Sequence, residues 1–422
     1  MSKTAIIGFG CAGYIAARTL REYNNDMEID VFSDTDLPPY NPMLTTYYLA
    51  GKIDWPKLFP FGQLEDICCA LALNVHTCEA VTRLESDKRI ISTAARTYGP
   101  YDDIIISSGA VPILPEYAKR LPNVFTMRTI SDVKAIDSYL CSKNPHTALV
   151  IGAQMVGIKV AEMLDKRGLE VTLAGRSDQI FPRSAFPDIA ELIHKRIASH
   201  GIRQMYGATL NNIQNSDNGL ECSFNEKETV HADICCICTG ISANAPFIAS
   251  ADPISRSGIP VDLHMQTSSD HIWACGDCCT SFDMQTKDYS TIGLWMNSYI
   301  QGRIAALNIL GIQETYQGNL IHNISHFMNM DFISIGNSRD PGEHIRYSAP
   351  DDSWHVEMTT NESGGIRCIN ILDNVGMSGP LKSFAVNAFA EQQKPLSDIA
   401  RMRLLNSGLP EEVIEQFCRK VG

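Results

Sequence analysis

Lys3-Thr-Ala-Ile-Ile7 runs into Gly8-Phe-Gly10-Cys11-Ala12-Gly13, and Tyr14, Ala17 and Leu20 continue at helical spacing. The order is a short buried strand, a glycine turn and a helix. Such a turn lets the backbone approach a pyrophosphate, whose charge is met by the free N–H groups and positive end of the helix. The next apolar run, Ile29 to Phe32, leads to Asp34, 21 residues after Gly13. An acid there accepts hydrogen bonds from ribose hydroxyls, so Gly8, Gly10, Gly13 and Asp34 predict a dinucleotide-binding β-α-β unit. The same grammar returns at Thr147. Ala148-Leu-Val-Ile-Gly152 leads into Gly152-Ala-Gln154-Met155-Val156-Gly157, a helix is expected over Ile158 to Lys166 with Gly168 as its cap, and a strand over Glu170 to Ala174 precedes Gly175-Arg176-Ser177.

Around these two units the chain is long enough for two or three domains: 422 residues, 44% hydrophobic and 20% charged. A net charge of −13 opposes nonspecific binding to nucleic acid or an anionic membrane. The apolar stretch Leu149 to Leu164 is interrupted by Lys159, Glu162 and two glycines, so no transmembrane segment is expected. The N-terminus reads as a strand and not as a secretory segment, which implies a cytoplasmic protein. Fourteen cysteines then read as reduced thiols, most of them packing. Cys235-Cys236-Ile-Cys238 lies in a strand-like run and Cys275-Gly-Asp-Cys278-Cys279 in a phosphate-loop context, so packing is expected over metal ligation. His322 and His326 would share one face of a helix, but Asn-Ile-Ser between them supplies no glutamate base for a zinc protease.

Beyond about residue 320 the pattern changes to short alternating runs, Phe327 to Asn337 and Gly365 to Gly376, separated by Asp, Gly and Pro turns. A short helix is expected from Pro410.

Further segments, in order, resemble the FAD-dependent pyridine nucleotide-disulfide oxidoreductase family, in its ferredoxin, rubredoxin and nitrite reductase-like branch without a redox disulfide. Leu37-Pro-Pro-Tyr40-Asn41-Pro42-Met-Leu44 is similar to a Tyr-Asn-Arg segment of that branch. Ile104-Ile-Ile-Ser-Ser108-Gly109-Ala-Val-Pro112 looks like the strand ending where the chain leaves the FAD domain, and Ile237-Cys-Thr-Gly240-Ile-Ser-Ala-Asn244 like its partner on return. Thr267-Ser-Ser-Asp-His-Ile-Trp-Ala-Cys-Gly276-Asp277 resembles the second FAD signature. Leu294-Trp295 and Gln301 to Ala306 look like the segment that follows it.

The resemblance implies FAD at Gly8, Gly10, Cys11, Ala12, Gly13, Asp34, Asn41, Val81, Ser108, Gly109, Gly276, Asp277 and Trp295, and NAD(P)H at Gly152, Gln154, Met155, Val156, Gly157, Arg176 and Gly240. It implies an α/β fold of two Rossmann-type modules plus a C-terminal α+β domain: 1–115 with 246–320 for FAD, 116–245 for NAD(P), and 321–422 as an interface domain.

Several positions depart from the family. Pro42 stands where relatives carry arginine, and no lysine follows at Thr45 or Thr46. Gln154 replaces the middle glycine of the second loop, and Lys159 replaces a glutamate. Gly175 replaces the acid at the end of the second strand, and Arg176 follows as a bidentate partner for a 2′-phosphate. This leans towards NADPH, with NADH or a nucleotide-free site as alternatives. The relatives that reduce disulfides carry a Cys-x4-Cys or Cys-x2-Cys dithiol, or a single cysteine before the flavin-proximal proline-tyrosine segment; here that segment reads Asp36-Leu-Pro-Pro-Tyr40, and Cys275 and Cys278 straddle a cofactor loop.

The expected function is therefore an FAD-dependent NAD(P)H oxidoreductase that moves electrons between a nicotinamide nucleotide and a one-electron acceptor, an iron–sulfur protein or a partner subunit. An electron-transfer subunit similar to that of phenylglyoxylate dehydrogenase, an NADH oxidase and an assembly flavoprotein with a vestigial nicotinamide site are the alternatives. An oligomer is compatible with each.

Overall fold

The computed structural model describes residues 2–217, 219–225, 228–248, 258–339, 342–360, 366–389 and 396–419. Contacts divide them into two compact units, Met1–Pro112 with Ile241–Asn319, and Ile113–Gly240 with Leu320–Gly422.

The first unit is built on a five-stranded parallel sheet in the order Ile272–Ala274, Asp103–Ile106, Lys3–Ile7, Glu28–Phe32, Asn74–His76. Its central strands are nearly continuous apolar runs because helices cover a parallel sheet on its faces. Ala5, Ile6, Val31, Ile104 and Ile105 are fully buried. Helix Cys11–Tyr23 packs on helix Trp295–Ile309, and the approach is so close that a Cβ on Gly302 would lie 2.3 Å from the Ala12 carbonyl oxygen. The family-like segment Gln301 to Ala306 lies within the helix Trp295–Ile309.

The second unit repeats the plan. Its parallel sheet runs Arg203–Met205, Glu170–Ala174, Thr147–Ile151, Ile234–Ile237, Val124–Phe125. The helix after the glycine turn spans Met155–Lys166, starting earlier than the Ile158 expected, because Gly157 lies inside the first helical turn instead of before it. The unit also holds the five-stranded antiparallel sheet His322–Phe327, Met330–Gly336, Ile366–Leu372, His355–Thr360, Glu343–Ser348. Gly365, which opens one of the expected alternating runs, is outside the described residues. Helices Ser378–Phe389, Asp398–Asn406 and Glu411–Arg419 follow.

His322 and His326 lie on a strand and not on a helix, since their segment pairs residue by residue with Met330–Gly336. Burial, then the charge of Lys382, pushes His322 down to about 4, while His326 faces Asp331 at 2.8 Å. Neither belongs to a group of three or more His, Cys, Asp or Glu able to hold a metal ion among the described residues. None of the described helices is long and apolar enough to cross a membrane.

Candidate functional site

In open α/β sheets, ligands bind at the carboxyl ends of the strands. In the first unit that edge is formed by Gly8 after the first strand, Ser107 to Gly109 after Asp103–Ile106, and Gly276-Asp277 after Ile272–Ala274. Gly8 is held by its N–H to the Phe32 carbonyl at 2.8 Å and takes φ of +99°, with a hypothetical Cβ 2.5 Å from the Ser107 carbonyl oxygen. A Cβ on Gly13 would lie 2.2 Å from the Gly8 carbonyl oxygen, whereas one on Gly10 would meet nothing within 4 Å. The two outer glycines are therefore required by the fold, and the middle one leaves space. Gly10 also N-caps the Cys11–Tyr23 helix in an extended conformation with no side-chain cap and no acid in the first turn. Uncapped N–H groups facing open space suit a pyrophosphate.

Other expected residues gather on this edge. Gly276 donates its N–H to Gln301 Oε1 at 2.8 Å, and Ser298 Oγ donates to Asp277 at 3.3 Å. Cys11 Sγ donates to the Trp295 carbonyl, and Trp295 stacks on Phe61, which stacks on Tyr14. Ser108 Oγ donates to the Asn244 carbonyl, and the Asn244 N–H returns to the Gly109 carbonyl at 2.9 Å, so the outgoing and returning segments are tied.

Asp34 is exposed two residues beyond the second strand. Glu79 donates its N–H to the Ser33 carbonyl, which brings the segment leading to Val81 beside that strand end. Asn41 uses its side-chain oxygen locally, accepting the Met43 N–H at 3.0 Å. Among the described residues it makes no hydrogen bond to the glycine loop.

The second unit carries the same loop. Gly152 donates to the Ala174 carbonyl at 2.8 Å, has φ of +120°, and would place a Cβ 2.2 Å from the Cys238 carbonyl oxygen. A Cβ on Gly157 would fall 1.8 Å from the Gly152 carbonyl oxygen. Gln154 is the N-cap of the Met155–Lys166 helix, exposed, extended and without a side-chain bond to the helix. Met155 and Val156 form the half-buried first turn.

At the end of the second strand a Cβ on Gly175 would meet the Ala153 methyl at 2.9 Å, so the strand end abuts the glycine loop. Arg176 next to it is exposed, with no partner among the described residues. Gly240 follows the Ile234–Ile237 strand with φ of +124° and accepts the Ile113 N–H at 3.0 Å. Lys159 and Glu162 are buried on the same helix; Glu162 accepts the Met328 N–H at 3.0 Å and pairs with Lys166.

The thiols of the first unit are not poised for chemistry. Burial, then the Asp277 charge, pushes Cys11 up to about 12, and burial pushes Cys278 up to about 11. Cys275 and Cys279 are raised further by the same cause. Cys278 Sγ donates to the carbonyls of Ile106 and Cys275, and Cys279 Sγ to that of Gly276. They pack the loop, and a protonated thiol is a poor nucleophile.

Sequence reading missed Ser107, whose hydroxyl donates to the Gly8 carbonyl at 2.8 Å, and Gln301, which fixes Gly276. The Ser107-Ser108 tandem was the available signal for the first. The second lies in the family-like segment Gln301 to Ala306, but nothing local marked its bond to Gly276.

Two glycine-turn cradles, each at the carboxyl edge of its own parallel sheet, define a protein that binds two dinucleotides. The chain belongs to the pyridine nucleotide-disulphide oxidoreductase family, which it matches over residues 2–302. It is an FAD-dependent NAD(P)H oxidoreductase.

Among curated relatives it is similar to an NADH oxidase of Methanocaldococcus jannaschii, 28% identical and covering 79% of this chain and 76% of that one. It is also similar to the ferredoxin–NAD(+) reductase component of a 3-phenylpropionate/cinnamic acid dioxygenase of Photorhabdus laumondii, 26% identical over 85% of this chain and 90% of that one. Its fold matches that of a water-forming NADH oxidase from Lactobacillus brevis bound to NADH, with a TM-score of 0.85, 19% identity, and coverage of 99% of this chain and 100% of that chain. An engineered form of that oxidase, bound to NADPH, matches with the same TM-score, 18% identity, and coverage of 98% and 99%.

Proposed function

We propose that this protein takes a hydride from NADPH onto FAD and passes the electrons singly to an iron–sulfur protein or a partner subunit. When bound, FAD supplies the two-electron to one-electron conversion; the protein supplies binding, orientation and electrostatics. In the first unit Gly10 and the uncapped Cys11–Tyr23 helix would hold its pyrophosphate, with Asp277 and Asp34 as acceptors for its hydroxyls.

The thiols carry the acceptor half of this reading. Cys275 and Cys278 have dithiol spacing but are buried, hydrogen-bonded into the loop and held protonated. A route through a protein disulfide has no support there, and direct transfer from the flavin to a carrier does. The relative named as a ferredoxin reductase component agrees with that direction.

Gly175-Arg176-Ser177 carries the nucleotide half. The engineered NADPH oxidase replaces a consecutive Asp-Ala-Met with Ala-Arg-Ser. Small residue, arginine, serine is what this chain has. The register is supported on both sides: that enzyme also replaces a glycine eighteen residues before the aspartate and a proline seven after it, and here Gly157 and Pro182 stand at those spacings from Gly175. Removing the acid ends its repulsion of a 2′-phosphate, and the arginine offers two parallel hydrogen bonds to it.

Anaerobic stopped-flow absorbance of the purified flavoprotein tests both halves. Flavin bleaching faster with NADPH than with NADH, followed by reoxidation by a [2Fe–2S] ferredoxin faster than by dioxygen, is expected. Reoxidation faster by dioxygen would replace the carrier reading with an oxidase. A flavin that dithionite bleaches and neither nicotinamide does would sink the reductase reading altogether.

A further inference from the structure

An arginine in the turn after the C-terminal strand Met330–Gly336 bonds the loop that follows Gly175-Arg176-Ser177. That loop turns back on the glycine turn, since Phe181 donates its N–H to the Ala153 carbonyl at 3.0 Å. The C-terminal sheet and the turn after its Met330–Gly336 strand then grip it. Arg339 Nε donates to the Pro182 carbonyl at 2.8 Å, Ser338 N–H to the Arg183 carbonyl at 3.0 Å, Ser334 Oγ to the Ser184 carbonyl at 2.9 Å, and Asn370 accepts the Phe186 N–H at 2.8 Å while donating to Ser184. Phe181 packs on Phe332 and Phe327 from the same sheet.

We infer that Arg339 is the second cation for the 2′-phosphate of NADPH, alongside Arg176. The inference rests on the NADPH reading above. A phosphomonoester carries roughly 1.5 to 2 negative charges at neutral pH, so one guanidinium leaves it undercompensated. Asp178, two residues from Arg176, adds a repulsive charge on the same loop. The engineered NADPH oxidase gains an arginine at the proline that corresponds to Pro182. Here the proline is kept, and its carbonyl is the group on which Arg339 sits.

Only Nε of Arg339 is engaged among the described residues. Its side chain is exposed, so the terminal nitrogens, which bond no described residue, can form a fork to phosphate. The bond to Pro182 fixes the guanidinium in advance. The grip by Ser334, Ser338 and Asn370 fixes the loop that carries Pro182.

Titrating the purified holoprotein calorimetrically with 2′,5′-ADP and with 5′-AMP isolates the phosphate from the redox chemistry. The unmodified protein is expected to bind 2′,5′-ADP about tenfold or more tighter than 5′-AMP, and R339Q to lose about three- to tenfold of that ratio with 5′-AMP binding unchanged. R339K, which keeps the charge and loses the fork, falls between. R176A losing the ratio while R339Q keeps it overturns the role of Arg339 and leaves the NADPH reading standing. R183Q losing it in place of R339Q also overturns Arg339, because the second cation then comes from the loop itself. Equal affinity for both ligands in the unmodified protein removes the NADPH reading and this inference together. Unchanged 5′-AMP affinity in R339Q and R339K excludes misfolding as the cause.

Discussion

Gly10 and Gln154 occupy the same place in two loops that fold alike. Each N-caps its helix in an extended conformation without a side-chain bond, and each is flanked by glycines whose missing side chains let backbone meet backbone. The outer glycines answer to the fold, the middle position to the ligand. Where the middle residue is glycine, the loop leaves open space for a cofactor held throughout the reaction. Where it is glutamine, an exposed amide without a bond to its own helix occupies that place. The strand ends differ in the same sense: Asp34 is an exposed carboxylate and Arg176 an exposed guanidinium, and the proposed function assigns ribose hydroxyls to the first and a 2′-phosphate to the second.

The largest effect that would break this comparison is expected from Gly8→Ala. The residue needs φ of +99°, and the added Cβ would sit 2.5 Å from the Ser107 carbonyl oxygen. Backbone strain of about 1–3 kcal/mol adds to an overpacking cost of similar size. The variant should lose flavin and unfold at markedly lower denaturant; a native midpoint with full flavin content would show that the outer glycine is not set by the fold.

Next in size is Gly10→Gln, which gives the first loop the residue of the second. Since a Cβ at Gly10 meets nothing within 4 Å, the apoprotein should keep its stability. FAD affinity should fall about tenfold to a hundredfold, the equivalent of roughly 1–3 kcal/mol of overpacking against the cofactor. The ratio of flavin absorbance to protein absorbance during dilution measures it. A variant that holds flavin as tightly as the parent would mean that the open space at Gly10 does not face the pyrophosphate.

How far these loops could be read beforehand follows from the range of the contacts. Gly8, Gly13, Gly152 and Gly157 were legible because their requirement is written into a local strand, turn and helix. The antiparallel character of the C-terminal sheet was legible from alternation, whereas the four-residue spacing of His322 and His326 does not by itself tell helix from strand; pairing with Met330–Gly336 shows that their segment is a strand.

Arg339 was not legible at all. It sits among Asn337-Ser-Arg-Asp340, which reads as an ordinary surface turn, and its partner Pro182 is 157 residues away in sequence. Gln301 stands within the family-like segment Gln301 to Ala306, but its bond to Gly276, 25 residues away, is not written into the local sequence. Burial of the cysteine cluster was suggested by its strand and loop context. The protonation that follows from that burial needed the packing itself.

The smallest expected effect, and the sharpest on the second loop, belongs to Gln154→Gly. The glutamine is exposed and its amide makes no bond to its own helix, so it is free to donate to a phosphate oxygen. A neutral hydrogen bond contributes about 0.5–1.5 kcal/mol, so removing it should weaken nucleotide binding about two- to tenfold. Glycine is well tolerated at an N-cap, and stability should change by only a few tenths of a kcal/mol. The pyrophosphate is common to both nicotinamide nucleotides, so NADH and NADPH should lose affinity equally, whereas Arg176→Ala should affect NADPH alone. Concentration dependence of flavin bleaching in stopped flow gives both affinities. If the variant instead binds both nucleotides more tightly, Gln154 is an obstruction, and the second loop is a degraded copy of the first. If it weakens both by the same factor, the glutamine is a phosphate ligand acquired where the family keeps a glycine.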